Sequence, residues 1–355
     1  MWFIIISTLL LIISFIPNLP LTHWFFRIFE YGKIQIVILQ LTTLISSLLI
    51  VDNFTIWIKI LQALTFISVL IHIKSFYKYN SFYKTNQKKH SNISSKKITV
   101  ISANVFQENK EYEKFVNLIH KYSPDIFLTM ESDKNWEKAL SVLDLEYPYS
   151  IKIGLNNTYG MHFYSKLQMT EHQVHYFVAD DLPSIEAKIK TNDNFNFTFF
   201  AIHPPPPSPT EEENSKERDG ELLSVAKKIK ANANTTVVLG DFNNVAWAKS
   251  SILFRKTSET IDGRIGRGFI SSYHTKYWFL RFPIDLMFHT ADIFVEELKT
   301  LETIDSDHFP IYSTFFINKK TAEQQDLIET LEQEEHEIVQ EVIVEGINEK
   351  SDNRK

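Results

Sequence analysis

"TTVVLGDFN" (residues 235–243) is a run of β-branched and apolar residues that ends in a carboxylate and an amide, Asp241 and Asn243. A run of this length and composition predicts a buried strand. Similar polar positions are Asn104 in "ITVISAN", Glu131 in "DIFLTME", His203 in "FFAIH", Asp285 in "FPIDLMF", and Asp307 and His308 in "DSDHFP". Because strand ends on one edge of a sheet converge in space, this pattern predicts a polar site there.

The stretch "FFAIHPPPPSP" (199–209) leaves two interpretations of His203 open. In one, His203 is the last residue of a buried strand that simply meets a stiff loop. In the other, the loop holds the imidazole at the mouth of a site. Prolines have a fixed φ and no N–H to satisfy, so four in a row fix the direction in which the chain leaves the histidine.

Strand-like and helix-like segments alternate between residues 98 and 318. "KITVISANVF" is typical of a strand, "YEKFVNLIHKY" spaces its apolar residues as a helix does, and "SPDIFLTME" is strand-like again. Such an alternation predicts a layered α/β domain whose sheets have both faces covered. The last strand-like piece ends near Asn318, so we expect the domain to span residues 98–318.

Composition divides the 355 residues into three parts of different charge. Residues 1–90 carry 8 Lys and Arg against 2 Asp and Glu, residues 91–318 carry 24 against 30, and residues 319–355 carry 5 against 11. We expect the acidic tail, 319–355, to be helical or disordered. The chain has no cysteine, which excludes disulfides, thiolate metal sites and thiol nucleophiles.

Three long apolar runs lie in the first 75 residues, at 2–16, 34–51 and 54–73. A membrane span needs about 20 residues, and the second and third runs meet this length and predict a tight helical hairpin. The first run is shorter, but no Lys or Arg precedes it and no small-x-small cleavage motif follows, unlike a signal peptide. We therefore expect about three transmembrane helices in residues 1–75, with an interfacial first segment as the alternative.

Seven lysines follow the third apolar run, in a polar segment that begins at Lys74. Lys and Arg collect on cytoplasmic flanks, and three spans would put Arg27 and Lys33 on the same side as this cluster. The pattern predicts a multi-pass protein of the cell membrane, with a basic tether at residues 76–97 and the following domain in the cytoplasm.

The motifs taken in order resemble the endonuclease/exonuclease/phosphatase superfamily, which has the deoxyribonuclease-I-like fold, and are most similar to its bacterial branch with N-terminal membrane helices. The residues that carry the resemblance are Asn104 and Asn109, Glu131, "GMHFYSK" (160–166), "AIHPPPP" with His203, "LGDFN", "PIDLMF" and "SDHFP". The resemblance covers about residues 98–318. It implies a four-layered α/β sandwich, two packed sheets with helices outside, and metal-dependent cleavage of phosphate esters.

The resemblance also implies a metal site. Glu131 and Asn104 would hold a hard divalent cation, Mg²⁺ or alternatively Mn²⁺, through oxygen ligands and waters, and Asp307 would lie beside them. This assigns Asn104, Glu131 and Asp307 as metal residues.

Catalytic roles follow from the same resemblance. Asp241 and Asn243 would position and activate the attacking water. His308 and His203 would donate hydrogen bonds to the non-bridging phosphoryl oxygens, and Asp285 would orient one imidazole or assist the leaving group, with Asp307 orienting the metal or His308. Negative charge builds up on the phosphoryl oxygens in the transition state, so a cation and imidazole donors stabilise it.

The expected function is that of a membrane-anchored, Mg²⁺-dependent hydrolase of phosphate esters, and its partners are the lipid bilayer and a phosphoester substrate. That substrate is a nucleic acid, a phospholipid head group or a small phosphate ester. A nuclease acting on long DNA would usually carry a basic footprint, which the acidic balance of residues 91–318 does not suggest. The alternative is a catalytically inactive, membrane-tethered binding module of the same fold.

Overall fold

A computed structural model of the chain describes residues 2–50, 55–83, 96–318 and 324–349. Its strands are β1 (Ile98–Asn104), β2 (Ile126–Met130), β3 (Tyr149–Ile153), β4 (Met161–Ser165), β5 (Gln168–His175), β6 (Ser184–Lys190), β7 (Asn196–Ile202), β8 (Thr236–Asp241), β9 (Ile261–Asp262), β10 (Asp285–His289), β11 (Ile293–Thr300) and β12 (Ile311–Ile317). Its α-helices are α1 (Trp2–Phe15), α2 (Trp24–Tyr31), α3 (Lys33–Ile50), α4 (Ile56–Phe76), α5 (Tyr112–Tyr122), α6 (Lys134–Leu140), α7 (Lys216–Asn232), α8 (Lys249–Ser258) and α9 (Gln333–Asn348).

The strands form two six-stranded sheets. The order in the first sheet is β11-β12-β1-β2-β4-β3, and the order in the second is β5-β6-β7-β8-β10-β9. Each sheet has one parallel pair at its centre, β1 with β2 and β7 with β8, and the remaining pairs are antiparallel. The carboxyl ends of both parallel pairs therefore belong to central strands of the sheets and not to edge strands.

The alternation of side chains along each strand builds the layers. In β1, Val100 faces the second sheet in a core that includes Phe199 and Leu239, whereas its neighbour Ile101 faces outward onto helix residues such as Phe115. Helices α5 and α6 cover the first sheet in this way. On the second sheet, Phe200 and Val238 face the cluster formed with α7, α8 and α9. The result is helices, sheet, sheet and helices, which confirms the four-layered α/β sandwich.

The acidic tail contains a packed helix. Val339 and Ile343 of α9 are buried against the outer cluster of the second sheet. At its crossing with α7 the two backbones meet, because a Cβ built on Gly346 would lie 2.9 Å from the Cα of Gly220. Of the alternatives for 319–355, the structure has the helix for Gln333–Asn348, and it extends the outer layer beyond the predicted boundary at Asn318.

Helices precede the sandwich, as expected. Two of them, Lys33–Ile50 and Ile56–Tyr79, are by length and composition apolar enough to cross a membrane. The first predicted run, which is also the shortest, forms the shorter apolar helix Trp2–Asn18, so two of the three predicted spans among the described residues have the length and composition to cross a membrane. Spanning itself remains a prediction.

The N-terminal region docks on the second sheet. Trp247 donates a hydrogen bond from its indole to the carbonyl of Glu30 at 2.9 Å, and its ring lies 6.2 Å from that of Phe76. Tyr79, in the segment predicted as a tether, is buried in the outer cluster of the second sheet. Residues 84–95 of that tether lie outside the described residues. The first part of the segment therefore packs on the domain.

Candidate active site

The first sheet brings two of the expected residues together. Asn104 is the last residue of β1, and Glu131 directly follows β2. Because β1 and β2 are parallel, with Asn104 opposite Met130, both polar side chains lie at the same end of the sheet. This is the convergence of strand ends that the sequence pattern predicts.

The second sheet supplies the next group from the same kind of position. His203 follows β7 and Asp241 ends β8, and these strands are also parallel. Strand β10 runs antiparallel to β8, so Asp285, its first residue, pairs with Asp241. Asp307 and His308 precede β12, which runs antiparallel to β1. All these residues therefore lie at one end of the sandwich, where the two sheets meet.

Asn104 links the two sheets across this end. Its side-chain nitrogen donates to Glu131 Oε1 at 2.7 Å and to Asp241 Oδ2 at 3.1 Å. Burial raises the pKa of Glu131 to about 7, although the hydrogen bond from Asn104 opposes the shift. Burial likewise raises the pKa of Asp241 to about 7. Two carboxyl groups that are costly to ionise thus share one amide.

His308 lies between two carboxylates. Its Nδ1 is 2.8 Å from Asp285 Oδ2, and its Nε2 is 3.5 Å from Asp241 Oδ2. Burial alone would lower the pKa of His308, but the charges of Asp285 and Asp241 raise it to about 10. His308 is therefore a buried imidazolium at neutral pH, and Asp285 is its hydrogen-bond partner.

His203 has a different environment. It is 4% exposed, its Nε2 is 4.0 Å from Asp241 Oδ2, and its Nδ1 is buried without a hydrogen-bond partner among the described residues. Burial and the positive charge of His308 lower the pKa of His203 to about 3. The ring is therefore neutral, and it lies 5.6 Å from the ring of Tyr159. A buried polar atom without a partner is unusual in a purely structural role.

The proline run contacts the site directly. Asn243 donates from its side chain to the carbonyl of Pro204 at 2.9 Å and from its backbone N–H to Asp241 Oδ1 at 2.8 Å. Asn243 and Glu131 both have left-handed backbones, with φ of 47° and 56°. Such conformations are sparsely populated for residues other than glycine and often occur at functional sites.

The donor set suits a hard cation. Glu131 and Asp307 offer carboxylate oxygens, and Asp307 is near enough for its charge to raise the pKa of Glu131 further. A divalent cation beside Glu131 would favour the ionised carboxylate that burial disfavours, so the residues fit such an ion. Asn104 directs its nitrogen at Glu131, and ligation through its oxygen requires the amide to turn over.

A second cluster with metal-ligand geometry is formed by Asp241, Asp285 and His308, each of which offers one atom within 4.8 Å of the others. In this cluster the Nδ1 of His308 already contacts Asp285. The cluster therefore already has its own cation in the imidazolium.

Several residues at the site were not anticipated from the sequence. Arg218 of α7 donates to the carbonyl of Asn243 at 3.1 Å, and the phenol of Tyr31 in α2 donates to the same oxygen. Ser306 donates from its hydroxyl to the carbonyl of Asn104 at 2.8 Å and accepts from the backbone N–H of His308 at 3.1 Å. Ser306 stands beside the "DH" pair in sequence, which is a usable signal, whereas nothing local marks Tyr31 or Arg218.

Solved structures share the fold at low sequence identity. D. rerio TDP2 complexed with a single-strand DNA product is 18% identical, with a TM-score of 0.53, and covers 62% of this chain and 100% of its own. An endonuclease/exonuclease/phosphatase family protein from Bacteroides thetaiotaomicron is 18% identical, with a TM-score of 0.51 and coverage of 64% and 100%. The human Nocturnin catalytic domain with bound sulfate is 15% identical, with a TM-score of 0.52 and coverage of 62% and 95%.

Comparison with curated proteins gave no match. A family model, by contrast, matches residues 101–308, which is more than half of the chain. The matched segment has Asn104 near its start and His308 at its end. The chain therefore belongs to the Endonuclease/Exonuclease/phosphatase family.

Proposed function

We propose that the chain is a membrane-anchored, divalent-metal-dependent hydrolase that cleaves phosphate esters by attack of water. Membership of the family supports a phosphoester hydrolase. The observation that carries the proposal for this chain is that His308 lies between two carboxylates at a buried end of the sandwich. Its Nδ1 is 2.8 Å from Asp285 and its Nε2 is 3.5 Å from Asp241. This arrangement places the positively charged imidazolium of His308 beside the carboxylate of Asp241, which can accept a proton.

Asp241 is the proposed base. Its ionised form takes a proton from water as the water oxygen attacks phosphorus and the ester P–O bond breaks. The leaving oxygen keeps the bonding electron pair and takes a proton from solvent, to which Asp241 then releases its own. Asn243 fixes this carboxylate by donating its N–H to Oδ1. A pKa near 7 for Asp241 suits a base that works at neutral pH.

The two histidines differ in charge, and we assign them complementary tasks. His308, held by Asp285, supplies a positive charge and a donor to the phosphoryl oxygens. His203 is neutral and supplies a hydrogen bond without adding charge. Donors that are already oriented stabilise the developing negative charge without reorganisation.

Glu131, Asn104 and Asp307 are the residues that would hold the cation. A bound Mg²⁺ or Mn²⁺ would act as a Lewis acid on the phosphoryl group. The oxygen donors at this end of the sandwich are the ligand type that these ions prefer.

An inactive binding module of the same fold is the competing proposal. Inactivity would be favoured by a missing acid, base or imidazole, but each predicted position carries the expected residue type. Asn104, Glu131, Asp241 and His308 also lie in contact or near contact with one another. These observations favour turnover.

Membrane anchoring is supported by an inverted burial pattern in the N-terminal helices. Helices α1, α3 and α4 pack together, and the side chains buried between them include Gln40, which donates to Ser68 at 3.1 Å. Leu49 and Trp57, by contrast, are 79% and 72% exposed. In water the apolar side chains would be buried, whereas a bilayer accepts them outside and leaves polar groups to pair within the bundle.

The proposed topology puts the domain in the cytoplasm. The residues that join the helices to the domain, near Tyr31 and Phe76, lie at one end of the bundle, and the lysine-rich segment begins there. A fluorescent reporter that matures only in the cytoplasm, fused after Asn348, should be bright. A periplasmic phosphatase reporter at the same position should be inactive, and the opposite pair of results would overturn the orientation.

The hydrolase proposal is tested with the full chain in detergent. We expect turnover of at least one member of a panel of phosphodiesters and phosphomonoesters with Mg²⁺, and loss of that turnover in EDTA. Folded protein that is inactive on the whole panel would favour the binding module. Activity that EDTA does not change would remove the metal from the proposal.

A further inference from the structure

A loop tip of the domain exposes four consecutive large side chains, three of them aromatic. Residues 277–280, "YWFL", which we call the aromatic tip, are all exposed, and Trp278 is 78% exposed. Exposed cations flank the tip on both sides, at Lys276 and Arg281. Contiguous exposed apolar residues of this kind mark interaction sites more often than free surface.

The base of this loop is bonded to the candidate active site. Tyr273 donates its N–H to the carbonyl of Phe282 at 3.1 Å, which closes the loop, and its ring lies 4.9 Å from that of His308. Thr275 donates its N–H to the carbonyl of Asp307 at 2.9 Å. The aromatic tip is therefore carried by the same short segment that lines His308.

The other neighbour of the loop is the N-terminal bundle. Gln35, the third residue of α3, donates from its side chain to the carbonyl of Phe279 at 3.1 Å. The ring of Tyr31 lies 5.8 Å from that of Phe282. Helix α3 is one of the two helices long enough to span a bilayer, so the tip lies beside the point at which this helix would leave the membrane.

We infer that the aromatic tip inserts into the interfacial layer of the membrane that holds α3, and that the substrate is the phosphoester of a lipid head group in the same leaflet. The inference rests on the proposed function and adds a substrate class to it. Trp and Tyr favour the membrane interface, and Lys and Arg beside them are attracted to anionic lipids. Because the loop also lines His308, insertion brings the site to the head groups.

A single-stranded nucleic acid is the competing ligand, since bases can stack on exposed aromatics. Two observations favour lipid. Residues 91–318 carry 24 Lys and Arg against 30 Asp and Glu, which is a poor balance for tracking a phosphate backbone. The hydrogen bond from Gln35 also holds the tip against the helix bundle. A bilayer around the bundle would therefore contact the tip, and its surface would obstruct a nucleic-acid strand.

Insertion is tested without any assay of turnover. The chain has no cysteine, so Trp278→Cys in the full chain can be labelled at one position with an environment-sensitive fluorophore and reconstituted into vesicles of phosphatidylcholine and phosphatidylglycerol. Leu145→Cys is the matched control, because Leu145 is 97% exposed and lies just before β3. The first residue of β3 pairs with Ser165, and Ser165 pairs with the first residue of β2, whose other end leads to Glu131. Leu145 therefore lies at the sheet end away from the site.

We expect a blue-shifted emission at position 278, quenched by lipids that carry a spin label near the head group, and neither effect at position 145. The same water-like emission at both positions would overturn insertion. This result does not depend on whether the enzyme turns over, so it separates failure of the inference from failure of the proposed function.

Substrate class is tested on the same vesicles. We compare hydrolysis of vesicle phospholipid (phosphatidylcholine, phosphatidylethanolamine and phosphatidylglycerol) with that of water-soluble glycerophosphodiesters, bis(p-nitrophenyl) phosphate and a single-stranded oligonucleotide. The vesicle lipid should be cleaved at least about tenfold faster than its water-soluble counterparts. Preference for the oligonucleotide or for the soluble diesters would overturn the lipid assignment while leaving a phosphoester hydrolase, and no hydrolysis of any of them would overturn both.

The double substitution Trp278→Ser and Phe279→Ser should lower the ratio of vesicle-lipid to soluble-diester turnover by about tenfold or more. Leu145→Ser should leave that ratio unchanged. An unchanged ratio in the double variant would contradict a role of the aromatic tip in reaching the lipid.

Discussion

The phenol of Tyr31 donates a hydrogen bond to the backbone carbonyl of Asn243, so a residue just before helix α3 holds the loop that fixes Asp241. Arg218 donates to the same carbonyl, and the partly buried Tyr31 lies beside it. Burial raises the pKa of Tyr31 well above its usual range, so the phenol keeps its proton. The N-terminal region is therefore a neighbour of the site as well as the proposed membrane anchor.

Tyr31→Phe tests this link. The variant keeps the ring against Phe282 and removes only the hydroxyl. The hydrogen bond that is lost contributes a free energy of about 1 kcal/mol to holding the Asn243 loop in place. If the bond positions the Asn243 loop, kcat should fall about fivefold with little change in KM or in the melting temperature. Tyr176→Phe, at an exposed tyrosine, is the control. A lower melting temperature with full activity per folded molecule would make Tyr31 a packing residue only.

His203→Ala separates the two interpretations of the proline-linked histidine. Since Nδ1 has no partner among the described residues, the variant loses packing but no hydrogen bond from that atom. Loss of a donor to the transition state should lower kcat by about 10²–10³, with folding retained. His172→Ala, at an exposed position, should behave as wild type. Preserved kcat in a destabilised His203→Ala protein would return the residue to a structural role.

His308→Ala should behave differently, because it removes a buried cation. Asp285 and Asp241 would be left without the imidazolium that lies between them. Breaking a buried ion pair by removing one partner destabilises proteins by about 3–5 kcal/mol. We therefore expect His308→Ala to lose both activity and thermal stability. A melting temperature equal to that of His203→Ala would contradict the assignment of His308 as an imidazolium.

Glu131→Gln tests the metal proposal. The amide keeps the shape and can accept the hydrogen bond from Asn104, but it removes the anionic oxygen. The Mg²⁺ concentration for half-maximal activity should rise at least about tenfold, and direct titration with Mn²⁺ should show weaker binding. Glu146→Gln, at an exposed residue on the opposite end of the first sheet, should not change either value. Equal metal affinity in both variants would remove Glu131 from the ligand set.

The parts of the site that the sequence predicted are those fixed by strand geometry. Asn104 and Glu131 could be anticipated as neighbours because they end two consecutive apolar runs, and parallel pairing aligns such ends. His203 and Asp241 follow the same logic. Tyr31 could not be anticipated, since no periodicity within a short helix tells which distant carbonyl its hydroxyl will meet.

The tail shows the same limit. For residues 319–355 the sequence leaves helix and disorder open. The observed docking of α9 depends on Gly346 and Gly220 lying opposite one another across two helices, although these glycines are 126 positions apart in the chain. Paired glycines that are distant in sequence leave no local pattern. Packing of this kind is visible only once both helices are in position.

Gly346→Ala tests that packing. An added Cβ would lie 2.8 Å from the carbonyl oxygen of Lys216 and 2.9 Å from the Cα of Gly220, and backbone atoms cannot move aside as a side-chain end can. We expect α9 to detach or shift, with a destabilisation of about 1–3 kcal/mol and faster proteolysis of the tail. Gly263→Ala is the control, because its Cβ would meet neighbours at an ordinary 3.5 Å. Equal protease resistance in both variants would show that α9 tolerates the extra methyl group.

Glu221 gives the stability of the fold a pH dependence of its own. This residue of α7 is buried and accepts a hydrogen bond from Ser184 at 2.6 Å. Burial raises the pKa of Glu221 from an ordinary 4.5 to about 7, despite that hydrogen bond. Between these values the folded state keeps a proton that the unfolded state has lost. This contribution to stability is therefore fully present below about pH 4, falls as pH rises through 7, and is absent above it.

Glu221→Gln should remove this dependence, because the amide is neutral at every pH and can still accept from Ser184. The difference in pKa corresponds to about 3 kcal/mol, which is an upper bound on the gain. Thermal unfolding of the full chain in detergent should show equal stability for wild type and variant near pH 4.5. At pH 8 the variant should be more stable, and Glu108→Gln, at an exposed position, should follow wild type at both pH values. A variant that is less stable than wild type at pH 8 would mean that the Glu221 carboxylate is ionised and paired in the folded protein.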